Sequence, residues 1–176
     1  KTYDASTIGS YTLSSTSIST GIGSETLTIR ESGYDIAGEA INARVVFAGK
    51  DVAFDSNGNV TTVAASLEGF SLANGTNGGL AVNYVLDLPT NLSATINQAA
   101  LTVTGAVVAD KVYDTTTDAV LQNAGSVTAL GRDAIAVDVS EAIASFGDKN
   151  AGTGKAITLS GYKLSGADAA NYTVTS

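Results

Sequence analysis

A short motif occurs twice in this chain, and its recurrence limits the fold more than any other feature. Lys111-Val-Tyr113-Asp114-Thr-Thr-Thr117 repeats the opening Lys1-Thr-Tyr3-Asp4-Ala-Ser-Thr7. Two further pairs follow in the same order. Leu159-Ser-Gly161-Tyr162-Lys-Leu164 matches Leu67-Glu-Gly69-Phe70-Ser-Leu72, and Asn171-Tyr172-Thr-Val174 matches Asn83-Tyr84-Val-Leu86. Three ordered matches predict two tandem, diverged units, 1–98 and 99–176, the first with longer loops.

The residues between these anchors predict mostly β structure with little helix, as two small β-grasp-like or β-sandwich-like domains. Apolar residues alternate with Ser and Thr over Tyr11–Ile29, which is the period of a half-solvated strand. Gly21-Ile22-Gly23 punctuates that stretch. Asn57-Gly58 between two apolar segments predicts a hairpin. Strands are expected over Val45–Phe47, Val52–Phe54, Val60–Ala64, Leu80–Leu86, Leu92–Ile96 and Leu101–Gly105, with a strand pair starting at Leu67–Leu72. Ile36–Val46 is the one stretch with near-helical spacing, through Ile36, Ala40, Ile41 and Val45, although Gly38 interrupts it.

Charge and composition exclude several functions. With 17 acidic and 9 basic residues, the net charge is −8 and Lys and Arg do not cluster, so nucleic acid and anionic membrane are poor partners. Cys and His are absent, which removes disulfides and the usual acid–base and nucleophile pairs. No apolar run reaches the roughly 20 residues of a membrane helix. The chain opens inside the motif, which leaves room for a secretion signal upstream.

Motifs with sharper chemistry fail on spacing. Gly152-Thr153-Gly154-Lys155 lacks the first Gly of a phosphate loop, where Lys149 stands, and its Ser/Thr, where Ala156 stands. Asp55-Ser-Asn57-Gly58-Asn59 begins like a calcium loop but has neither Gly at the sixth position nor Glu at the twelfth, which is Ser66. Asp148-Lys149-Asn150 suits a solvated turn, and Asp133 with Asp138 an acidic solvated face. No catalytic residue, cofactor site or metal site is assigned, and the chain is expected not to be an enzyme. Asn59, Asn74 and Asn91 head Asn-x-Ser/Thr sequons and are candidate glycosylation acceptors. Asn171 heads a fourth, but the repeat gives it a structural role.

The second unit resembles the YDG and "mostly β-grasp" repeats of large bacterial surface adhesins, of which many are similar to filamentous-haemagglutinin exoproteins exported by two-partner secretion. The resemblance is carried by Leu101-Thr-Val-Thr-Gly105, Lys111-Val-Tyr113-Asp114, Phe146-Gly-Asp148-Lys149-Asn150-Ala-Gly152-Thr-Gly154-Lys155 and Ile157 to Tyr172. The family usually has Gly after Tyr-Asp, where Thr115 stands. The first unit keeps Tyr3-Asp4, Gly69 and Asn83-Tyr84. The motif residues Tyr3, Asp4, Gly69, Asn83, Tyr84, Tyr113, Asp114, Gly161, Asn171 and Tyr172 are expected to be structural.

The resemblance implies a secreted, cell-surface stalk segment serving adhesion or biofilm-matrix attachment. Its expected partners are neighbouring repeats of the same chain and host or matrix glycans or proteins. A glycan-binding module, with exposed aromatic residues lining a groove, and an accessory segment of a surface hydrolase are the alternatives.

Overall fold

The computed structural model describes residues 1–35 and 37–175. The chain is mostly β, with small sheets; the described residues form no α-helix and no closed barrel. It divides into two compact units, one of Lys1 and Ser6–Ile96, the other of Thr2–Ala5 and Asn97–Ser176. This division differs from the expected 1–98 and 99–176 in one telling respect: the first Tyr-Asp motif, read as the opening of the first unit, is counted with the second.

In the first unit the strands Ile8–Gly9, Arg44–Phe47, Val60–Glu68 and Leu92–Thr95 form one sheet in that order, and Ala53–Phe54 also pairs with Val60–Glu68. Ser17–Ser19, Thr26–Arg30 and Ser71–Asn74 form a second sheet. Leu27, Leu72 and Ala81 pack as a buried cluster with Ile18, Tyr84 and Leu86 against it. The Asn-Gly hairpin is as expected. Phe54 faces Val60, and Asp55 Oδ1 accepts from the amides of Asn57 and Asn59 at 2.9 and 2.8 Å.

Three local expectations are corrected. The near-helical stretch is extended: Ala40–Asn42 pairs with Ser32–Tyr34, and Gly38 turns the chain at φ 85°. Cross-strand pairing overrides a weak 3.6-residue spacing. Ile36, which began that reading, lies outside the described residues. Leu67–Leu72 does not start a strand pair, because it is not one strand. Glu68 ends a strand of one sheet and Ser71 starts a strand of the other, with the change made at Gly69, φ 72°. Leu80–Leu86 is no strand either, because Ala81–Asn83 forms a 3₁₀ turn.

The second unit repeats this plan. Phe47 faces Ala65 and Phe146 faces Ile157; Ile29 faces Leu72 and Val137 faces Leu164. Two glycines are fixed by space as well as by conformation. A Cβ on Gly69 would lie 2.1 Å from the Asn42 carbonyl oxygen, and one on Gly161 2.1 Å from that of Glu141. The repeated Gly-aromatic step is thus a point where two backbones touch.

The aromatic residue after that glycine differs between copies. Phe70 stacks edge-on with Tyr11, centroids 5.1 Å apart. Tyr162 is buried, and its hydroxyl has no hydrogen-bond partner among the described residues. A buried hydroxyl without a partner costs roughly 1–3 kcal/mol. Tyr162→Phe, the residue the first unit uses, is therefore expected to stabilise the protein by about 1 kcal/mol in a denaturant titration. A loss of stability would show that the hydroxyl is satisfied in solution.

Candidate functional site

The repeated motif builds two structures, a lysine cradle and a tyrosine–carboxylate pair. In the cradle, the chain turns back after Tyr-Asp so that the Lys ammonium meets the backbone ahead of it. Lys1 Nζ donates to the Ser6 and Ile8 carbonyls at 2.7 and 2.9 Å, and Lys111 Nζ to those of Thr116 and Asp118 at 3.0 and 2.9 Å. Each ammonium stands 5.8 Å from the ring centroid of a Phe, Phe47 or Phe146, within reach of a cation–π attraction.

The turn requires a left-handed residue after the Asp: Ala5 has φ 60° and Thr115 φ 72°. A Gly, usual at this position in the repeats that the chain resembles, would adopt such a conformation without steric cost. A β-branched residue is strained there by roughly 1–2 kcal/mol, against about 0.5–1 kcal/mol of extra chain entropy for Gly. Thr115→Gly is expected to raise stability slightly, by about 0.5–1 kcal/mol in chemical denaturation, and a decrease would contradict the strain.

Asp114 closes the cradle. Its carboxylate lies 2.8 Å from Lys111 Nζ and accepts from the Thr116 amide and hydroxyl, both at 2.9 Å. The Lys111 bond first, then those from Thr116, hold its pKa down to about 2. Because the folded value lies below the usual carboxylate value, Asp114 adds stability that is complete above about pH 4 and disappears as the pH falls toward 2. A carboxyl ¹³C titration should place its midpoint near 2, rising in Lys111→Ala; an ordinary midpoint near 4 would mean the cradle does not close in solution.

The tyrosine–carboxylate pair is the feature that the sequence reading missed. Tyr84 Oη donates to Glu25 at 2.8 Å, and Tyr172 Oη to Asp133 at 2.8 Å. Glu25 raises the Tyr84 phenol above its ordinary pKa. Both acids close the same turn: Glu25 N–H reaches the Ile22 carbonyl at 3.1 Å and Asp133 N–H that of Leu130 at 3.2 Å. The glycines inside the turns, Gly23 and Gly131, have φ 56° and 59°. Ile22-Gly23-Ser24-Glu25 and Leu130-Gly131-Arg132-Asp133 are therefore a fourth match between the copies. Asp133 is no solvated acid; it is half-buried.

In the second unit this pair receives a third member. Tyr3 is 2 % exposed. Its ring meets that of Tyr172 edge-on at 5.2 Å, its hydroxyl donates to Asp133, and its amide donates to the Asn97 carbonyl at 2.7 Å. Tyr113, the same motif residue in the second copy, is 54 % exposed, beside Val112 at 89 %. The remaining motif residues also separate. Asn171 and Tyr172 are buried, Tyr84 is half-buried, and Asp4, Asn83 and Asp114 are exposed.

Tyr113 stands at the lip of a groove in the second unit of about 730 Å³, shared with Lys111, Phe146, Asp148, Asn150 and Lys155. Lys155 bonds Asp148 and the Asn150 carbonyl, so the Asp-Lys-Asn loop is a pinned wall, and no phosphate cradle forms. The first unit has a groove of about 740 Å³ that includes Tyr11 and the Arg44–Glu68 ion pair.

Among the sequon residues, Asn59 Nδ2 donates to Asp55 and Asn74 Oδ1 accepts from the Ala81 amide, whereas Asn91 is exposed at φ 59°. The described residues contain no group of three or more acidic side chains placed to hold a metal. They contain no helix long and apolar enough to cross a membrane.

The YDG domain family model matches residues 97–176, and the second unit is a YDG-type domain. No curated protein and no solved structure matches the chain.

Proposed function

We propose that this chain is a load-bearing stalk segment of a secreted bacterial surface adhesin, exported by two-partner secretion, with no catalytic role of its own. The observation that supports a mechanical role is the pairing of the first and last strands of the second unit. Ala99–Thr102 runs parallel to Tyr172–Thr175, with Ala99 beside Tyr172 and Thr102 beside Thr175. Tension entering near Asn97 and leaving after Thr175 pulls these strands in opposite directions along their length. All their hydrogen bonds are then loaded together, in shear. A ladder that must break at once resists force better than one opened bond by bond. The YDG-type domain adds the resemblance to adhesin repeats, in which such units are arrayed between the cell and a distal binding domain.

Labelling of intact, unpermeabilised source cells with antibodies against residues 1–176 tests the placement. Surface labelling that disappears when the partner transporter gene is deleted is expected. Signal only after permeabilisation would overturn it.

The groove beside Tyr113 favours a second reading, in which the YDG-type unit captures a glycan by stacking on the exposed ring. A glycan array probed with the full chain separates the two, because the stalk reading expects no binding that depends on Tyr113.

A further inference from the structure

We propose that the groove beside Lys111 and Tyr113 is the docking surface for a further unit of this same kind, which enters it with an extended linking strand and receives the Tyr113 ring. The inference deepens the stalk reading and rests on it for the idea of serial units; its grounds are the differences between the two copies.

The first difference is a strand. The central sheet of the first unit has four strands along its path, and the fourth, Leu92–Thr95, lies antiparallel on Val60–Glu68, with Leu92 facing Ala65 and Thr95 facing Thr62. Among the described residues, the corresponding sheet of the second unit stops at Ile157–Ser160. The copies are in register here. Phe47 faces Ala65 where Phe146 faces Ile157, and Ala48 N–H bonds the Ala64 carbonyl where Gly147 N–H bonds that of Ala156. The edge that carries Leu92–Thr95 in the first unit therefore corresponds to residues 154–157 of the second. Gly154, Lys155 and Ile157 line the 730 Å³ groove. An edge with a groove along it and a known strand on its counterpart is the geometry of strand addition. Such an edge, left open, also invites uncontrolled pairing.

The second difference is an aromatic ring. In the first copy the residue two after the cradle lysine, Tyr3, is buried against Tyr172 and Asp133. In the second copy the same turn, with the same lysine bonds, holds Tyr113 out in solvent. The turn places an anchor, and the anchor fits a Tyr–carboxylate pair. Such a pair exists in both copies, as Tyr172–Asp133 and Tyr84–Glu25. Strand slot and anchor adjoin, since Lys111 and Tyr113 line the groove. In the first unit, likewise, the Lys1 backbone nitrogen donates to the Thr95 carbonyl of the added strand at 2.8 Å. One incoming unit, led by a strand of the Leu92–Thr95 type, satisfies both features.

The test is a three-unit protein, the full chain followed directly by a second copy of residues 89–176, compared with the full chain alone. Amides of residues 154–157 are expected to exchange with deuterium more than tenfold more slowly in the longer protein. The Tyr113 ring resonances, assigned by loss in Tyr113→Phe, should shift. Tyr113→Ala should lower the melting temperature of the appended unit alone and leave that of the two-unit chain unchanged. Unchanged exchange and unshifted Tyr113 signals beside a folded appended unit would overturn the proposal. So would an appended unit that stays unfolded on an intact parent, since Tyr113 would then have failed to supply the anchor that Tyr3 supplies. A carbohydrate that protects 154–157 and shifts Tyr113 in the two-unit chain would assign the groove to a glycan instead. None of these outcomes depends on whether cells display the chain.

Discussion

Tyr3→Ala is expected to destabilise the second unit by about 3–5 kcal/mol while leaving the first almost untouched, although Tyr3 lies far from the second unit in sequence. The ring is 2 % exposed, and deleting a buried aromatic side chain typically costs that much through lost transfer energy and the cavity left behind. The edge-on contact with Tyr172 and the hydroxyl bond to Asp133 are lost as well. Asp133 keeps the Tyr172 hydroxyl at 2.8 Å, so Tyr3→Phe should cost only about 1.5–3 kcal/mol, the loss of one hydrogen bond to a charged group. Guanidinium titration followed by amide signals from each unit separates the effects. Equal losses in both units, or none in the second, would show that Thr2–Ala5 does not belong to it.

The second large effect is expected at the glycines where two backbones touch. Gly161→Ala combines φ 74°, worth roughly 1–2 kcal/mol for an L-residue, with a Cβ placed 2.1 Å from the Glu141 carbonyl oxygen. The oxygen belongs to backbone and cannot rotate away, so the strands on both sides must separate. A total above about 3 kcal/mol is expected, the sum of strain and disturbed packing. Gly154→Ala is the control. It has φ 64° and open space around the added methyl, so only the conformational cost remains. Thermal melts of the two variants should differ widely; similar melting temperatures would mean that the close approach is absent in solution.

Why these sites were partly legible in the sequence follows from how the repeat diverged. Gly69 and Gly161 are identical because no other residue fits, and Tyr84 and Tyr172 because a hydroxyl must reach an acid, so these stood out. The acids themselves did not. Glu25 and Asp133 differ in length, and their turns share one glycine in four residues, so the match emerges only once Tyr84 and Tyr172 are seen to bond them. Asp133 read as a surface acid because sequence gives charge without neighbours. The 3₁₀ turn at Ala81–Asn83 and the strand at Ala40–Asn42 were misread for a related reason. Short apolar runs carry too few residues for periodicity to decide, and pairing decides instead. Likewise, Asn83 and Asn171 match in sequence, yet only Asn171 is buried.

The motif's second half presents the deeper limit. Tyr3 and Tyr113 have near-identical flanks, and the cradles around Lys1 and Lys111 repeat bond for bond. Nothing in those flanks says that one ring is buried and the other exposed. A side chain's core is a property of what surrounds it in space, and a repeat fixes only the turn that presents the ring.

Single-molecule stretching of the full chain between its termini tests the load-bearing account most directly. Two compact units should give two separate unfolding steps, each releasing roughly 30 nm at about 3.5 Å per residue, and the unfolding rate under load sets the force of each. Leu101→Pro removes an amide from the sheared parallel pair; it should lower the force of one step and leave the other as it was. Two steps with that selective loss are the predicted result. A single combined step, or extension at low force without distinct steps, would contradict a stalk built from serially joined, independently load-bearing units.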